Sequence, residues 1–246
     1  MTQQHNGASV VTSMAVRTLL VSSPLRAGTL VIIGDEAHHA RSVLRLEAGD
    51  AVRLVDGAGA AAEAVIQEVA KHGIHVLVQA PVLQEDGPAT LLTVAVAPPK
   101  GDRWADLVRQ LTELGVGAIV PLATARGERL PGNPERTVRI AAEALKQCRR
   151  THLPRLGPAT DIPALVDSGA ALTILDRSGS PAAPGTPRPL TLVIGPEGGF
   201  TTDELATFQA AGAATVRLAS PVLRIETAAL AAAAVWSAAW MKDTHA

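Results

Sequence analysis

Aromatic side chains are scarce in this 246-residue chain, which has no Tyr, two Phe and three Trp. Its core must therefore be built from Ala, Val, Leu and Ile, and few platforms remain for stacking single-stranded bases. The single cysteine, Cys148, excludes an intramolecular disulfide, a cysteine-based zinc site and a CxxC redox pair, so a reducing compartment and no metal are expected. The most apolar run, "TAALAAAAVWSAAWM" at 227–241, falls short of the roughly 20 residues that a membrane span needs. The opening "MTQQHNGASVVTSMAV" has neither a basic start nor a long apolar block. Residues 1–15 are accordingly expected to be a loose tail rather than a signal peptide, and the protein to be cytoplasmic. No GxxxxGK[ST] or GxGxxG motif is found, which weakens ATP and NAD as ligands.

What is present is a globular composition, 47% hydrophobic and 18% charged. The formal charge of −1 is unevenly spread: residues 1–99 carry 6 basic and 9 acidic side chains, 100–155 carry 11 and 6, and 156–246 carry 5 and 8. The basic middle would attract a polyanion, although solvated helix faces account for such a count equally well.

Two organisational rhythms divide the chain. From Val16 to about Pro81 short β-like runs alternate with turn signals such as "DGAG", predicting a small β-rich domain over 16–84. One helical insert, "DEAHHARSVLRLEAGD", interrupts it, with Ala37, Ala40, Val43 and Leu44 at helical spacing. The polar "QEDGPAT" at 84–90 reads as a linker. From residue 90 onward, apolar strands alternate with amphipathic helices, predicting an α/β domain with a parallel sheet. In "DRWADLVRQLTELG", Trp104, Leu107, Val108, Leu111 and Leu114 share a face and Gly115 suits the stop. "RSGSPAAPGTPRP" at 177–189 is expected to be an unstructured loop.

The stretch "LVIGPEGGF" at 192–200 ends a buried strand in a glycine-rich loop carrying one carboxylate, Glu197. Ligands in open parallel sheets sit beyond the carboxyl ends of the strands. Gly195, Gly198 and Gly199 let the backbone approach a ligand closely. "TTDE" then fits a capping box from Thr201 to Glu204. The glycines by themselves are compatible with a plain turn, but Glu197 disfavours a phosphate and suits a cationic or zwitterionic ligand. Downstream, "VRLASPVLRIETAAL" leads into the last helix, with Arg224 and Glu226 at its start. An arginine there runs against the helix dipole, a misfit that points to a functional position, with an Arg–Glu surface pair as the alternative.

"GPEGGF" followed by "LRIETA", preceded by "LTELGV", "EALKQCRR" and the N-terminal "HHARSVLRLEAGD", resembles the 16S ribosomal RNA uridine-N3 methyltransferases of the RsmE family, in the SPOUT superfamily. The resemblance extends from about Arg17 to Trp240. It implies a PUA-like β-barrel RNA-binding domain followed, over 90–246, by an α/β, trefoil-knotted methyltransferase domain, an exception to the usual absence of knots. It further implies a homodimer that binds S-adenosyl-L-methionine and methylates uridine N3, at uridine 1498 in the family's usual site numbering, in 16S rRNA of the small ribosomal subunit.

By the same resemblance the cofactor would touch Leu175, Gly195, Pro196, Glu197, Gly198, Gly199, Leu218, Leu223 and Thr227. Arg224 would stabilise charge on the uracil, and Glu226 or a water would take the N3 proton. RNA contacts would come from Arg17, His39, Arg41 and Arg45, with His38, and from Arg126, Arg149 and Arg150. Ala219, Pro221 and Ile225 stand where the family pattern has glycine, arginine and threonine, which would narrow the pocket and remove one N–H. A different RNA target, a ribose 2′-hydroxyl target, or a non-catalytic ribosome-assembly protein are the competing readings. The stripe with Trp236 and Trp240 would serve either the core or a dimer interface.

Overall fold

A computed structural model describes residues 16–84, 86–128, 130–131 and 133–243, so the expected tail at 1–15 lies outside the described residues. The described residues form two compact units, 16–55 with 61–82, and 56–60 with 83–243.

The first unit contains β1 (Arg17–Leu20), β2 (Gly28–Ile32), α1 (Gly34–Ser42), β3 (Ala51–Val55), β4 (Ala60–Ala70) and β5 (Gly73–Val78), and the chain leaves it through β6 (Val82–Leu83). The sheet order is β1-β3-β4-β5-β2, with β1 parallel to β3 and the other neighbours antiparallel. Period-two patterning sets the register: Ala62, Ala64 and Ile66 of β4 are buried while Glu63, Val65 and Gln67 face out. In β5, Ile74, Val76 and Val78 are buried in the same way. Helix α1 contributes Ala37 and Ala40 to this core. It is shorter than the spacing predicts, because Arg45 takes a left-handed φ of 53° and Val43 is 64% exposed. The chain turns back instead, with the Leu46 amide donating to the Ala40 carbonyl at 3.0 Å.

The second unit continues with a 3₁₀ turn (Pro88–Leu91), β7 (Leu92–Val96), α2 (Arg103–Glu113), β8 (Ala118–Pro121), α3 (Pro134–Cys148) and β9 (Arg155–Leu156). It is completed by α4 (Ile162–Asp167), β10 (Leu172–Pro181), β11 (Leu190–Ile194), α5 (Thr202–Ala210), β12 (Ala214–Arg217) and α6 (Ile225–Asp243). All six strands are parallel, in the order β12-β10-β11-β7-β8-β9. Alternate residues of the central strands point to opposite faces. Val94, Val96, Leu192 and Ile194 pack with residues of α2 and α6, whereas Ala95, Ile174 and Val193 pack with α4, α5, Phe200 and Phe208. That double covering explains the unbroken apolar runs, since every residue of β11 is buried.

Gly115 follows α2 with φ 88°, as its position predicts. The stripe of α6 is core: Ala229, Ala232, Ala233, Trp236 and Trp240 are all buried, and the Trp240 indole N–H donates to the Gly185 carbonyl at 2.6 Å. The segment 84–90 is anchored rather than loose. The Asp86 carboxylate accepts from the Thr151 and His152 amides, both at 3.0 Å, and from the Arg150 guanidinium at 2.8 Å.

The expected loop at 177–189 is corrected in its first part, because β10 runs to Pro181 and pairs Ser180 with Val216. The register of β10 against β12 shifts between Leu175 and Ser180. The sequence pattern hides this continuation because the extra residues make a bulge. Asp176 holds it, accepting from the Ser178 amide at 2.9 Å and hydroxyl at 2.7 Å. Gly179 lets the strand rejoin, since a Cβ there would lie 2.5 Å from the Val216 nitrogen.

Candidate functional site

Strands β12, β10 and β11 are neighbours, and their carboxyl-end loops open into one cavity. The walls are Leu175–Arg177 from the β10 bulge, Ile194–Glu197 with Gly199 and Phe200 after β11, and Val216–Ala219 with Pro221–Leu223 after β12. Ile225 and Ala228 close it from the first turns of α6. Of the nine expected cofactor contacts, Leu175, Gly195, Pro196, Glu197, Gly199, Leu218 and Leu223 line this cavity. Gly198 and Thr227 do not, although Gly198 belongs to the same loop.

The loop after β11 is held at both ends. Its glycines have distinct roles: Gly199 has φ 65°, and a Cβ on Gly195 would lie 2.9 Å from the Phe200 ring. The expected capping box is present, Thr201 Oγ1 accepting from the Glu204 amide and Glu204 Oε2 from the Thr201 amide. Glu204 Oε1 also accepts from the Ala125 amide at 2.8 Å, tying the loop after β8 to this helix start. Arg126, in that same loop, donates to the Gly198 carbonyl at 2.8 Å and to the Phe200 carbonyl at 3.4 Å. Its observed role is thus to brace the glycine loop.

Arg224 and Glu226 flank the cavity without lining it. The Arg224 side chain is exposed and has no partner among the described residues. Glu226 is different: its side chain is 18% exposed, Oε1 accepts from Arg103 Nη1 at 3.0 Å, and Oε2 is buried without a hydrogen-bond partner. The same Arg103 nitrogen lies 3.6 Å from Glu197 Oε1, so one guanidinium links the loop carboxylate to the helix carboxylate. Pattern reading passed over Arg103, yet a signal existed: it too is an arginine in the first turn of a helix, opposed to the dipole in the same way as Arg224. Asp176, Arg177 and Arg217 are further charged wall residues that pattern reading did not single out.

The basic residues expected to meet RNA separate into groups. Arg17 and Arg45 in the first unit are exposed with no partner among the described residues, and His39 is half-buried on α1. Arg41 donates to the carbonyls of Ala70 at 3.3 Å and Lys71 at 2.8 Å. Arg149 is the left-handed cap of α3, with φ 61°. Arg150 must be withdrawn from the set. Its side chain is 7% exposed, pairs with Asp86 at 2.8 Å and donates to the Thr112 and Val116 carbonyls, so no surface is left for a phosphate. Among the described residues no group of three His, Cys, Asp or Glu side chains could hold a metal ion, and no helix is long and apolar enough to cross a membrane.

Comparison with known proteins matches residues 86–237 to the RNA methyltransferase domain family and residues 32–79 to the RNA methyltransferase PUA domain. Ribosomal RNA small subunit methyltransferase E of Mycobacterium bovis is 32% identical over 88% of this chain and 90% of its own. The same enzyme of Synechocystis is 31% identical over 92% of this chain and 78% of its own. Among solved structures, a methyltransferase of Legionella pneumophila with bound cofactor SAM superposes with a TM-score of 0.83 at 26% identity, over 92% of this chain and 99% of that one. The Neisseria gonorrhoeae ribosomal RNA small subunit methyltransferase E, bound to S-adenosyl methionine, superposes with a TM-score of 0.81 at 25% identity, over 92% and 98%. With an all-parallel sheet whose neighbouring strand ends form one cavity, and with near full-length likeness to these enzymes, the chain belongs to the ribosomal RNA small subunit methyltransferase E family.

Proposed function

We propose that this protein transfers a methyl group from S-adenosylmethionine to N3 of a uridine in 16S rRNA of the small ribosomal subunit. The observation that carries the reading is the cavity at the ends of β10, β11 and β12, built from the three loops expected to hold the cofactor. The residues fit the group. Gly195 and Gly199 keep side chains out of the cradle, Leu175, Leu218 and Leu223 provide an apolar lining, and Glu197 brings a carboxylate for a cationic ligand. Bound there, S-adenosylmethionine would supply an electrophilic methyl group.

The rest of the chemistry falls to the chain's own side chains. N3 of uridine carries a proton that is engaged when the base is paired, so the base must be presented unpaired. In this reading Arg224, exposed and without a partner among the described residues at the start of α6, meets the negative charge that develops on the uracil carbonyls. Glu226 has one oxygen committed to Arg103 and the other buried without a donor. A buried acceptor without a partner is costly, and an incoming N–H would satisfy it. In this reading Glu226, or a water, takes the N3 proton. The same reading includes the C-terminal trefoil knot, a homodimer and a cytoplasmic location alongside the ribosome.

The test is methyl transfer from labelled S-adenosylmethionine to small subunits lacking the modification, with nucleoside analysis of the product. N3-methyluridine in 16S rRNA is expected. Arg224→Ala should lower kcat by about 100-fold, in the range seen when one charge-stabilising donor is lost, with cofactor affinity unchanged by calorimetry. Gly199→Val should lose cofactor affinity instead, because a β-branched residue is strained at that φ. Methylation of another position or of a ribose would move the assignment to a different target, and absence of cofactor binding would favour the non-catalytic assembly protein.

A further inference from the structure

The second unit holds another cavity, of about 500 Å³, within the roughly 300–1,000 Å³ typical of small-ligand sites. It is lined by residues on either side of Arg103, namely Lys100, Asp102, Trp104 and Ala105, while Arg103 itself pairs with Glu197 in the wall of the first cavity. Arg103 thus joins a wall residue of the first cavity to the helix turn that lines the second. Transfer between two substrates needs donor and acceptor held close together, and this cavity is the candidate compartment for the acceptor.

The lining chemistry is selective. Among the described residues its cations are balanced, Lys100 by Glu128 at 2.8 Å and Arg136 by Asp102 at 3.5 Å, so these offer no excess positive charge to a phosphate. Pro98, Pro99, Trp104 and Ile140 contribute apolar surface. The Trp104 indole N–H is turned to Thr137 Oγ1 at 3.4 Å. Asn133 supplies a polar edge. As the cap of α3 its Oδ1 accepts from the Arg136 amide at 2.9 Å, which fixes the side chain and leaves its amide N–H₂ without a partner among the described residues. An apolar, charge-balanced compartment with a fixed amide donor suits a neutral planar ring bearing carbonyl oxygens.

We infer that this second cavity receives the target base of the RNA, with the Asn133 amide donating to a carbonyl of the base. The assignment rests on the methyl-transfer reading above and adds the compartment for its acceptor.

Asparagine, aspartate and serine all cap helices well, and only asparagine carries the N–H₂. Asn133→Asp and Asn133→Ser therefore separate recognition from folding, and Ala105→Phe fills the cavity from α2. Each variant is compared with the native protein for melting temperature, for S-adenosylmethionine affinity by calorimetry, and for binding and methylation of unmodified small subunits. For both Asn133 variants we expect unchanged melting and cofactor affinity with kcat/KM for the subunit down about tenfold, the worth of one hydrogen bond. Ala105→Phe should lose more. Unchanged kcat/KM and subunit affinity in all three would overturn the assignment, as would a loss confined to Asn133→Asp, which reports only added charge. Equal losses of cofactor affinity would overturn it too. If the native protein binds subunits without methylating them, the methyl-transfer reading fails, and subunit affinity across the three variants still decides the cavity.

Discussion

Arg103 and Arg150 show how far a single residue can be read without its surroundings. Both stand in the basic middle of the chain, but Arg103 joins Glu197 to Glu226 whereas Arg150 is buried against Asp86. The Asp86 cluster has a pH signature. Burial alone would raise the Asp86 pKa, but the amides of Thr151 and His152, the Arg150 guanidinium and the Thr151 hydroxyl outweigh it and hold the group at about 2, below the ordinary 3.8. A carboxylate with a depressed folded-state pKa stabilises the fold above its unfolded value and loses that contribution as pH falls through the folded one. The shift corresponds to about 2 kcal/mol, present above pH ~4 and gone near pH ~2. Denaturant titrations of native protein and Asp86→Asn should therefore differ by at least that amount at pH 6 and converge toward pH 2. A gap independent of pH would assign the role of Asp86 to packing rather than charge.

At the scale of elements, the cavity depends on an irregular strand. β10 leaves its register after Leu175 and rejoins at Ser180, and the displaced residues Asp176 and Arg177 become cavity wall. The return is possible because Gly179 has no side chain next to the Val216 and Thr215 backbone, where a Cβ would sit at 2.5–2.6 Å. Gly179→Ala should destabilise the protein by roughly 1–3 kcal/mol, as forced overpacking does, and weaken cofactor binding through the displaced wall. Thermal melting and calorimetry would check both; a fully stable variant with native affinity would show that β12 yields easily. The glycine loop after β11 is less exposed to such failure, since the Thr201–Glu204 box and Arg126 brace it from two sides.

At the scale of the whole molecule, the proposed work assigns RNA contact to both units and methyl transfer to the second. Binding to small subunits should weaken steeply with salt, because neutralised phosphates release counterions. Replacing the exposed Arg17 and Arg45, which have no partner among the described residues, by Gln should flatten the log–log salt slope by roughly 0.7–0.9 for each phosphate that is no longer neutralised. An unchanged slope would remove them from the interface. Arg150→Gln should instead lower stability, since its charge is spent inside the fold.

Local physics settled much of this architecture before folding was considered. The period-two runs, the unbroken apolar strands, the helical face from Trp104 to Leu111, the stop at Gly115 and the capping box at Thr201 are each determined by neighbouring residues, and they could be read from the chain alone. The glycine loop and the segment before α6 were legible for the same reason. Only the tertiary structure decided which charges meet. Arg103 lies 123 residues from Glu226, Asp86 lies 64 from Arg150, and Arg126 lies 72 from Gly198. Such pairs leave no periodic trace, because their geometry is created by strand order and helix packing rather than by spacing along the chain. The bulge in β10 and the second cavity are of the same kind, since each exists only where separate elements are brought side by side.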